Sequence, residues 1–284
     1  MFQQIIGSAL LFIGLVYAAV LLFAFFKNRE GTFSAKGDLR LLSVLEFFVF
    51  VCASVGVSDY LLNTLISRHF HLTEDEELPG TLISCCLLPG TIIAFSLMRP
   101  DNPVDMKTLI SCSICVVAGS LIGSHIVMQM DGRLIRKIMC AALAASLAFV
   151  IIKMIVTAGA TGTAVSVTGA RLVLAAVLCL ITGIINRFGI PMKPTWTAIF
   201  LLLGLSPLAT LTMTLIIGAL TPIAGGISVM KSGLYQKKMA LAALIFGLAG
   251  AVIGTALAIS IPALALNVIL IIVMSIAIIS MIRS

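Results

Sequence analysis

The sequence predicts an all-α integral membrane protein with about nine transmembrane helices: one extra N-terminal helix plus two repeated four-helix units with broken or re-entrant segments. The chain of 284 residues is 61% hydrophobic and only 10% charged, whereas a soluble domain needs more charge on its surface. Its long stretches are continuously apolar, which is typical of helices, because the strands of a membrane barrel alternate. The apolar sequence also repeats itself.

The repeat is visible in a motif of small residues. Ala118–Gly123 reads Ala-Gly-Ser-Leu-Ile-Gly and returns as Ala-Gly-Ala-Val-Ile-Gly at Ala249–Gly254, shifted by 131 positions. Duplicated multi-helix units are a common way to build a transporter, because two similar halves can move around a site between them. We therefore divide the chain into an N-terminal helix with its cytoplasmic loop (1–39), a first repeat (40–157), a linker (158–170) and a second repeat (171–284).

Nine stretches are long enough to cross the ~30 Å hydrocarbon layer of a bilayer. The first has no basic residue before it and is followed by Lys27 and Arg29, so we interpret it as a retained helix and not as a signal peptide. The predicted stretches are 5–26, 41–57, 80–98, 107–130, 133–157, 171–188, 208–230, 239–260 and 263–282.

Basic residues favour the cytoplasmic loops of a membrane protein. An outside N-terminus and a cytoplasmic C-terminus give the cytoplasmic side more Lys and Arg than the outer side. The expected location is a multi-pass position in the cell inner membrane. The acidic run Glu74–Glu77 is then expected in an outer loop.

A break follows the first helix of each repeat. The first break contains Gly56, Asp59 and Asn63, and the second contains Pro191 and Pro194. Proline does not fit comfortably inside a continuous helix, and irregular backbone at membrane depth is tolerated where it lines a cavity. Two breaks at matching repeat positions therefore predict a substrate site. Their short length favours re-entry and parallel halves, while a full crossing would make the halves inverted; both topologies stay open.

The charges are distributed unevenly. All carboxylates lie at or before Asp131, and the rest of the chain contains only Lys and Arg as charged residues. An anion site needs basic groups, hydroxyls and helix N-termini, so the second half favours an anionic substrate. Anchoring of Arg187 and Lys193 at the headgroups is the alternative explanation of these two residues. The predicted substrate-binding residues are Arg187, Lys193, Asn63, Asn186, Thr195, Ser206 and Asp59.

Glu46 lies in the middle of a predicted helix. An intramembrane carboxylate is a functional hypothesis by default, here a proton carrier; pairing with a neighbouring helix is the alternative. A cation or metal permease that uses Glu46 and Asp59 is the second functional hypothesis. The cysteines lie in predicted helices without nearby histidines, which favours packing over a metal or redox site.

Several short motifs resemble the sulfite exporter TauE/SafE family over residues 40–284. They are Gly204–Pro207 (Gly-Leu-Ser-Pro), Ala118–Gly123 after Val104-Asp105, and Ala249–Gly254 before Ile261-Pro262. At the breaks the chain differs from the Gly-rich run followed by proline that the family often carries. The resemblance implies a transporter that moves sulfite, sulfonates or other small anions across the bacterial inner membrane.

The combined prediction is a secondary transporter that exports a small anion such as sulfite or an organosulfonate. We expect no enzymatic activity, because no catalytic constellation is recognisable, and no cofactor. The expected partners are the small anionic substrate and the lipid bilayer, with no nucleic acid. Homo-oligomerisation stays open.

Overall fold

The computed structural model describes residues 2–54, 58–97, 104–127, 129–131, 162–188, 190 and 192–257, with isolated positions between 133 and 144. The described part is helical, and its only bridge between extended segments joins Ala164 to Leu205. The helices are α1 (Phe2–Lys27), α2 (Arg29–Phe33), α3 (Leu39–Ser54), α4 (Asp59–His69), α5 (Leu78–Leu97), α6 (Met106–Val127), α7 (Ala170–Asn186), α8 (Lys193–Leu202), α9 (Pro207–Ser232) and α10 (Lys237–Leu257).

The all-helical class is confirmed for the described residues. Among them, the helical regions Ile5–Lys27, Leu78–Ser96, Met106–Val127 and Lys237–Leu257 are long and apolar enough to cross a membrane. The predicted stretches 133–157 and 263–282 lie largely or wholly outside the described residues. The count of nine spans therefore stays a prediction.

The helix boundaries follow the shift seen in the sequence. Helix α3 begins at Leu39 and α7 at Ala170, while α6 begins at Met106 and α10 at Lys237; each pair is 131 positions apart. The short helices α4 and α8 follow α3 and α7 in the chain. At 1.5 Å per residue each is about 15 Å long, half the thickness of a hydrocarbon layer.

One end of the helix bundle, face A, is formed by the loop after α1, the loop after α4 and the loop between α9 and α10. Lys36 Nζ lies 3.1 Å from Glu74 Oε1. Lys238 Nζ donates hydrogen bonds to the backbone oxygens of Ala35 (2.6 Å) and Gly37 (2.8 Å). These contacts place the three loops at the same end of the bundle.

The opposite end, face B, is formed by the starts of α6, α7 and α9. Thr108 Oγ1 accepts a hydrogen bond from the backbone N–H of Val167 at 3.1 Å. The N–H of Ser206 donates to the backbone oxygen of Ala164 at 2.8 Å. Helix α6 therefore runs from face B to face A, and its end at Val127 lies close to Gly80 and Leu234.

The acidic run Glu74–Glu77 is not where we expected it. The Lys36–Glu74 ion pair shows that this run lies on the same side as the loop after α1, whereas the sequence interpretation placed the two on opposite sides. The reason is that α4 starts inside the bundle and ends at face A, so that α3 and α4 together enter and leave at one face. The short length of this segment had favoured re-entry, but hydropathy does not specify to which face the chain returns.

Helices α5 and α9 form the centre of the bundle and run antiparallel. Gly80 at the start of α5 lies against the backbone of Leu234, just after the end of α9, while Leu87 packs against Gly226 further back along α9. Helix α1 packs beside them, and Tyr17 donates a hydrogen bond to the backbone oxygen of Gly226 at 3.2 Å. Helices α5 and α9 correspond under the 131-position shift and run antiparallel, while the orientation of the two halves stays a prediction.

Two close helix pairs flank this centre. Helix α6 packs on α7, where Gly119 lies against the carbonyl of Leu180 and Gly123 against that of Ile184. Helix α10 packs on α3 in the same way, with Gly250 against the carbonyl of Phe47. A side chain at these glycines would collide with the backbone of the neighbour, so the repeated glycines allow helices to approach closely.

Candidate functional site

The first part of the site is the place where α4 and α8 begin. Asp59 is the first residue of α4 and Lys193 is the first residue of α8. Pro194 follows in the first turn of α8, where a missing N–H is tolerated. The Lys193 ammonium donates to Asp59 Oδ1 at 2.9 Å. Two short helices therefore start inside the bundle and are joined by an ion pair.

The two partners of this ion pair are not equally covered. The Asp59 side chain is 3% exposed, whereas the Lys193 side chain is 26% exposed. Both line an inner cavity of about 30 Å³ between α5 and α9. The lysine of the pair is thus more accessible than the carboxylate. The other residues that line this cavity are Ser58, Tyr60, Cys86, Gly90, Ile93, Asn186, Met192, Trp196, Leu215, Gly218, Ala219, Thr221 and Pro222.

The second part of the site is Arg187, directly after the end of α7. The residue is 1% exposed, and its Nη2 donates to Asn186 Oδ1 at 3.3 Å. Its Nε and Nη1 have no hydrogen-bond partner among the described residues, and no carboxylate of the described part forms a salt bridge with it. A buried guanidinium without a counter-ion is costly, and an anion would complete it.

The space for this guanidinium comes from small residues of two other helices. Gly225 of α9 lies directly against Arg187 Nη1, and Gly123 of α6 lies against Arg187 Cγ. Asn186 is held by its own hydrogen bond, because its Nδ2 donates to the backbone oxygen of Ile190 at 3.0 Å. The position of the guanidinium is therefore fixed by α6, α7 and α9 together.

Arg187 also lines an outer cavity of about 60 Å³. The rest of its wall consists of residues from the face A ends of α5, α6 and α9: Glu76, Pro79, Gly80, Ile83, Ser124, Val127, Met130, Ser232 and Leu234. A cavity of this volume exceeds what one water molecule needs. Arg187 borders this outer cavity and the adjacent Asn186 borders the inner one, so the pair separates face A from the Asp59–Lys193 ion pair.

Glu46 and Asn63 form a separate buried group between α3 and α4. Both residues are fully buried, the Glu46 carboxyl faces the Asn63 side chain, and neither makes a hydrogen bond at ordinary distance. They do not line either cavity. Glu46 is thus close to the site, with Asp59 as its nearest charged neighbour, without being part of its wall.

Besides Asn63, two of the predicted binding residues lie away from the cavities. Ser206 is at face B, where its Oγ accepts a hydrogen bond from the N–H of Ala209 at the start of α9 (3.3 Å). Thr195 is in the first turn of α8 and lines neither cavity. Proximity in sequence to the second break suggested both residues, but the helical turn carries their side chains elsewhere.

Some residues at the site were not singled out from the sequence. The Tyr60 hydroxyl is buried without a hydrogen-bond partner and faces the Arg187 guanidinium. Cys86, interpreted as a packing residue, lines the inner cavity and its thiol faces Asp59. Tyr60 could have been found as the neighbour of Asp59 in the chain; no local signal distinguishes Cys86 from the other helical cysteines.

A comparison with family models matches residues 78–281 to the model described as Sulfite exporter TauE/SafE. The match includes the residues that line the inner and outer cavities except Ser58, Asp59, Tyr60 and Glu76. Neither a curated protein nor a solved structure gives a significant match to the chain.

Proposed function

Because the chain belongs to the sulfite exporter TauE/SafE family of multi-pass membrane transporters, we propose that it exports a small anion such as sulfite or an organosulfonate across the inner membrane. The observation that carries the proposal is the Arg187 guanidinium, which is buried without a carboxylate partner in the described part and borders a cavity at face A. The anion supplies the missing counter-charge.

The route begins in the outer cavity at face A. There the anion binds Nε and Nη1 of Arg187, the N–H groups that lack a partner among the described residues. The Tyr60 hydroxyl, which belongs to the wall of the inner cavity, adds a donor that faces the same guanidinium. Further in, the anion reaches Lys193, whose ammonium is held by Asp59 in the absence of substrate. The N-terminal ends of α4 and α8 converge there, and such ends favour negative charge.

Asn186 orients the guanidinium from its other edge. The proposed site does not include Ser206, Thr195 or Asn63, because none of them lines either cavity. Asn63 lies next to Glu46. The pairing of Asp59 with Lys193 favours an anion over a cation as substrate, because the carboxylate that would bind a cation already has a positive partner.

Face A is the cytoplasmic side in this proposal. Lys27, Arg29, Lys36, Arg40 and Lys237 lie near this end, whereas Lys107 and Arg171 lie at face B, and basic residues favour the cytoplasm. The N-terminus is then outside. Moving one negative charge outward through a negative-inside potential gains about 2.3 kcal/mol per 100 mV, which favours export from a cavity that opens at face A.

We also propose that the two halves are inverted repeats. The support is the antiparallel packing of α5 and α9 together with the equal spacing of the helix starts. In such an arrangement each half supplies one short helix to the centre. The helix pairs α6–α7 and α3–α10 are then equivalent, since each packs the last described helix of one half on the first helix of the other.

Anion flux in proteoliposomes under an imposed membrane potential tests the function. We expect efflux of sulfite or a simple sulfonate that is absent from protein-free vesicles. Flux of a monovalent metal cation instead, with no anion flux from folded and inserted protein, would contradict the proposal. Glu74→Cys tests the orientation: a membrane-impermeant maleimide should label it from the cytoplasmic side only.

A further inference from the structure

We propose that binding of the anion at Lys193 is coupled to the uptake of a proton by Asp59. This inference rests on the proposed function and identifies the ion that accompanies the substrate. In the step, an O–H bond forms on an Asp59 carboxylate oxygen and an O–H bond of a hydronium ion from the bulk solution breaks, which leaves a water molecule in the cavities. The Lys193 ammonium then balances the anion in place of the carboxylate.

The ion pair is built so that an anion meets the lysine first. Asp59 and Lys193 both line the inner cavity, and the Lys193 side chain is 26% exposed whereas the Asp59 side chain is 3% exposed. An anion that enters the cavity therefore competes with Asp59 for one positive charge. An ammonium has donors enough for both partners, but one positive charge cannot balance two negative ones.

The surroundings of Asp59 leave little alternative compensation. The titratable and charged groups that face it are Lys193 of α8, Tyr60 of α4, Cys86 and Cys85 of α5, and Glu46 of α3. Helix α9 contributes apolar residues, Gly218, Thr221 and Pro222 to the cavity wall. Lys193 is thus the cation that faces Asp59 among the described residues, since Arg187 is directed to Tyr60 and Cys86.

A second negative charge beside Lys193 is therefore neutralised when a carboxylate takes up a proton. An isolated carboxylate in an apolar environment is so costly that it neutralises instead. Glu46 makes no salt bridge among the described residues and lines neither cavity, so an anion in the cavity does not displace a partner from it. Asp59 loses its counter-charge when the anion binds, and it is the group that changes its protonation.

The coupling changes which gradient drives transport. A monovalent anion that moves together with one proton carries no net charge, so its flux follows the anion and proton gradients and not the membrane potential. A dianion with one proton retains one negative charge, and the potential still drives its export. The charge of the substrate therefore decides whether export is electrogenic.

Proton uptake on anion binding tests the coupling directly. The full-length protein in detergent is titrated with methanesulfonate, which itself holds no proton at neutral pH, in weakly buffered solution with a pH indicator. About one proton taken up per anion bound is expected. Binding without proton uptake would overturn the proposal, whatever the variants show.

Two variants locate the proton. Asp59→Asn removes the competitor of the anion, so methanesulfonate should bind at least about tenfold more tightly and without proton uptake. Glu74→Gln removes the acid of an exposed pair with Lys36 and should change neither quantity. Proton uptake that persists in Asp59→Asn would overturn the role of Asp59.

Flux measurements separate this inference from the proposed function. Proteoliposomes loaded with methanesulfonate and a pH dye should show proton and anion movement together. Anion flux without proton movement would overturn the coupling and leave the proposed function intact. Absence of any anion flux from folded and inserted protein would overturn both.

Discussion

Two buried cations flank the second break, and they differ in their partners. Lys193 lies 2.9 Å from the Asp59 carboxylate, whereas Arg187 has two N–H groups without any hydrogen-bond partner among the described residues. Helix α9 passes both, with Gly218 beside Lys193 and Gly225 beside Arg187. The two cations are six positions apart in the chain, yet one is neutralised within the fold and the other is not.

The difference shows how a fold can contain one positive charge that is paired within the protein and another that is available to bind an anion. A paired charge contributes little net stability, but removal of one partner leaves the other exposed to the full desolvation penalty. An unpaired buried charge has already incurred that penalty and is stabilised when a ligand arrives. Stability measurements therefore distinguish the two residues without any transport assay.

The largest expected effect is from Lys193→Met, which leaves the Asp59 carboxylate buried alone. We expect the free energy of unfolding to fall by about 3 kcal/mol at neutral pH. Thermal or denaturant unfolding in detergent measures this change. The double variant Asp59→Asn with Lys193→Met leaves no charge and should recover most of the loss. Equal stability of the single and double variants would break the distinction between the two cations.

The two glycines of α9 test the fit of each cation. Gly225→Ala places a methyl group against Arg187 Nη1, and overpacking of this kind costs about 2 kcal/mol unless the guanidinium moves. Gly218→Ala is the matched control, because its methyl group would meet Lys193 Cε at 3.6 Å, an ordinary contact. We expect reduced anion flux and stability in the first variant only. Unfolding curves and proteoliposome flux measured in parallel give the result.

Replacement of Arg187 should have the opposite sign on stability. Arg187→Met removes an uncompensated buried charge, so we expect the free energy of unfolding to rise by about 1 kcal/mol while anion flux is lost. Arg187→Lys retains the positive charge, so this control separates the loss of charge from the loss of the guanidinium shape. A variant that transports normally would remove Arg187 from the proposed site; a strongly destabilised one would indicate a partner for the guanidinium.

The smallest effect concerns Asp105, an acid that lies outside the candidate membrane-spanning helices. Asp105 precedes α6, and its Oδ2 accepts hydrogen bonds from the N–H and hydroxyl of Thr108 at 3.0 and 3.1 Å. The backbone N–H of Thr108 lowers the pKa of Asp105. Because the folded pKa is depressed, this stabilisation is present above the unfolded pKa and is lost as the pH falls through the folded one.

Hydrogen exchange at the Thr108 amide measures this loss. We expect faster exchange, relative to neighbouring amides, as the pH falls through the folded pKa of Asp105, and no such step in Asp105→Asn. A step that persists in the variant would assign the pH dependence to another group. Amides beside Lys193 and Arg187 should show no comparable change in exchange rate over the same pH interval.

Much of the fold could be predicted from the sequence, because the information is local. Apolar stretches long enough to span a membrane identified α1, α3, α5 and α6 within a few residues of their ends, and the repeated glycine motif predicted helices that approach closely. Asp59 and Lys193 were selected as candidate site residues because a charged residue beside a break in an apolar segment is rare and costly.

The sequence by itself therefore determined the class, the helices and the residue types available for an anion. It could not determine that Lys193 pairs with Asp59 across 134 positions, that Arg187 stays unpaired against Gly225, or that Ser206 lies at the opposite face. Those facts depend on the antiparallel packing of α5 and α9 and on the return of α4 to face A. Hydropathy reports how each segment interacts with lipid, whereas the pairing of buried charges is decided by which helices are neighbours, and only the tertiary structure specifies that.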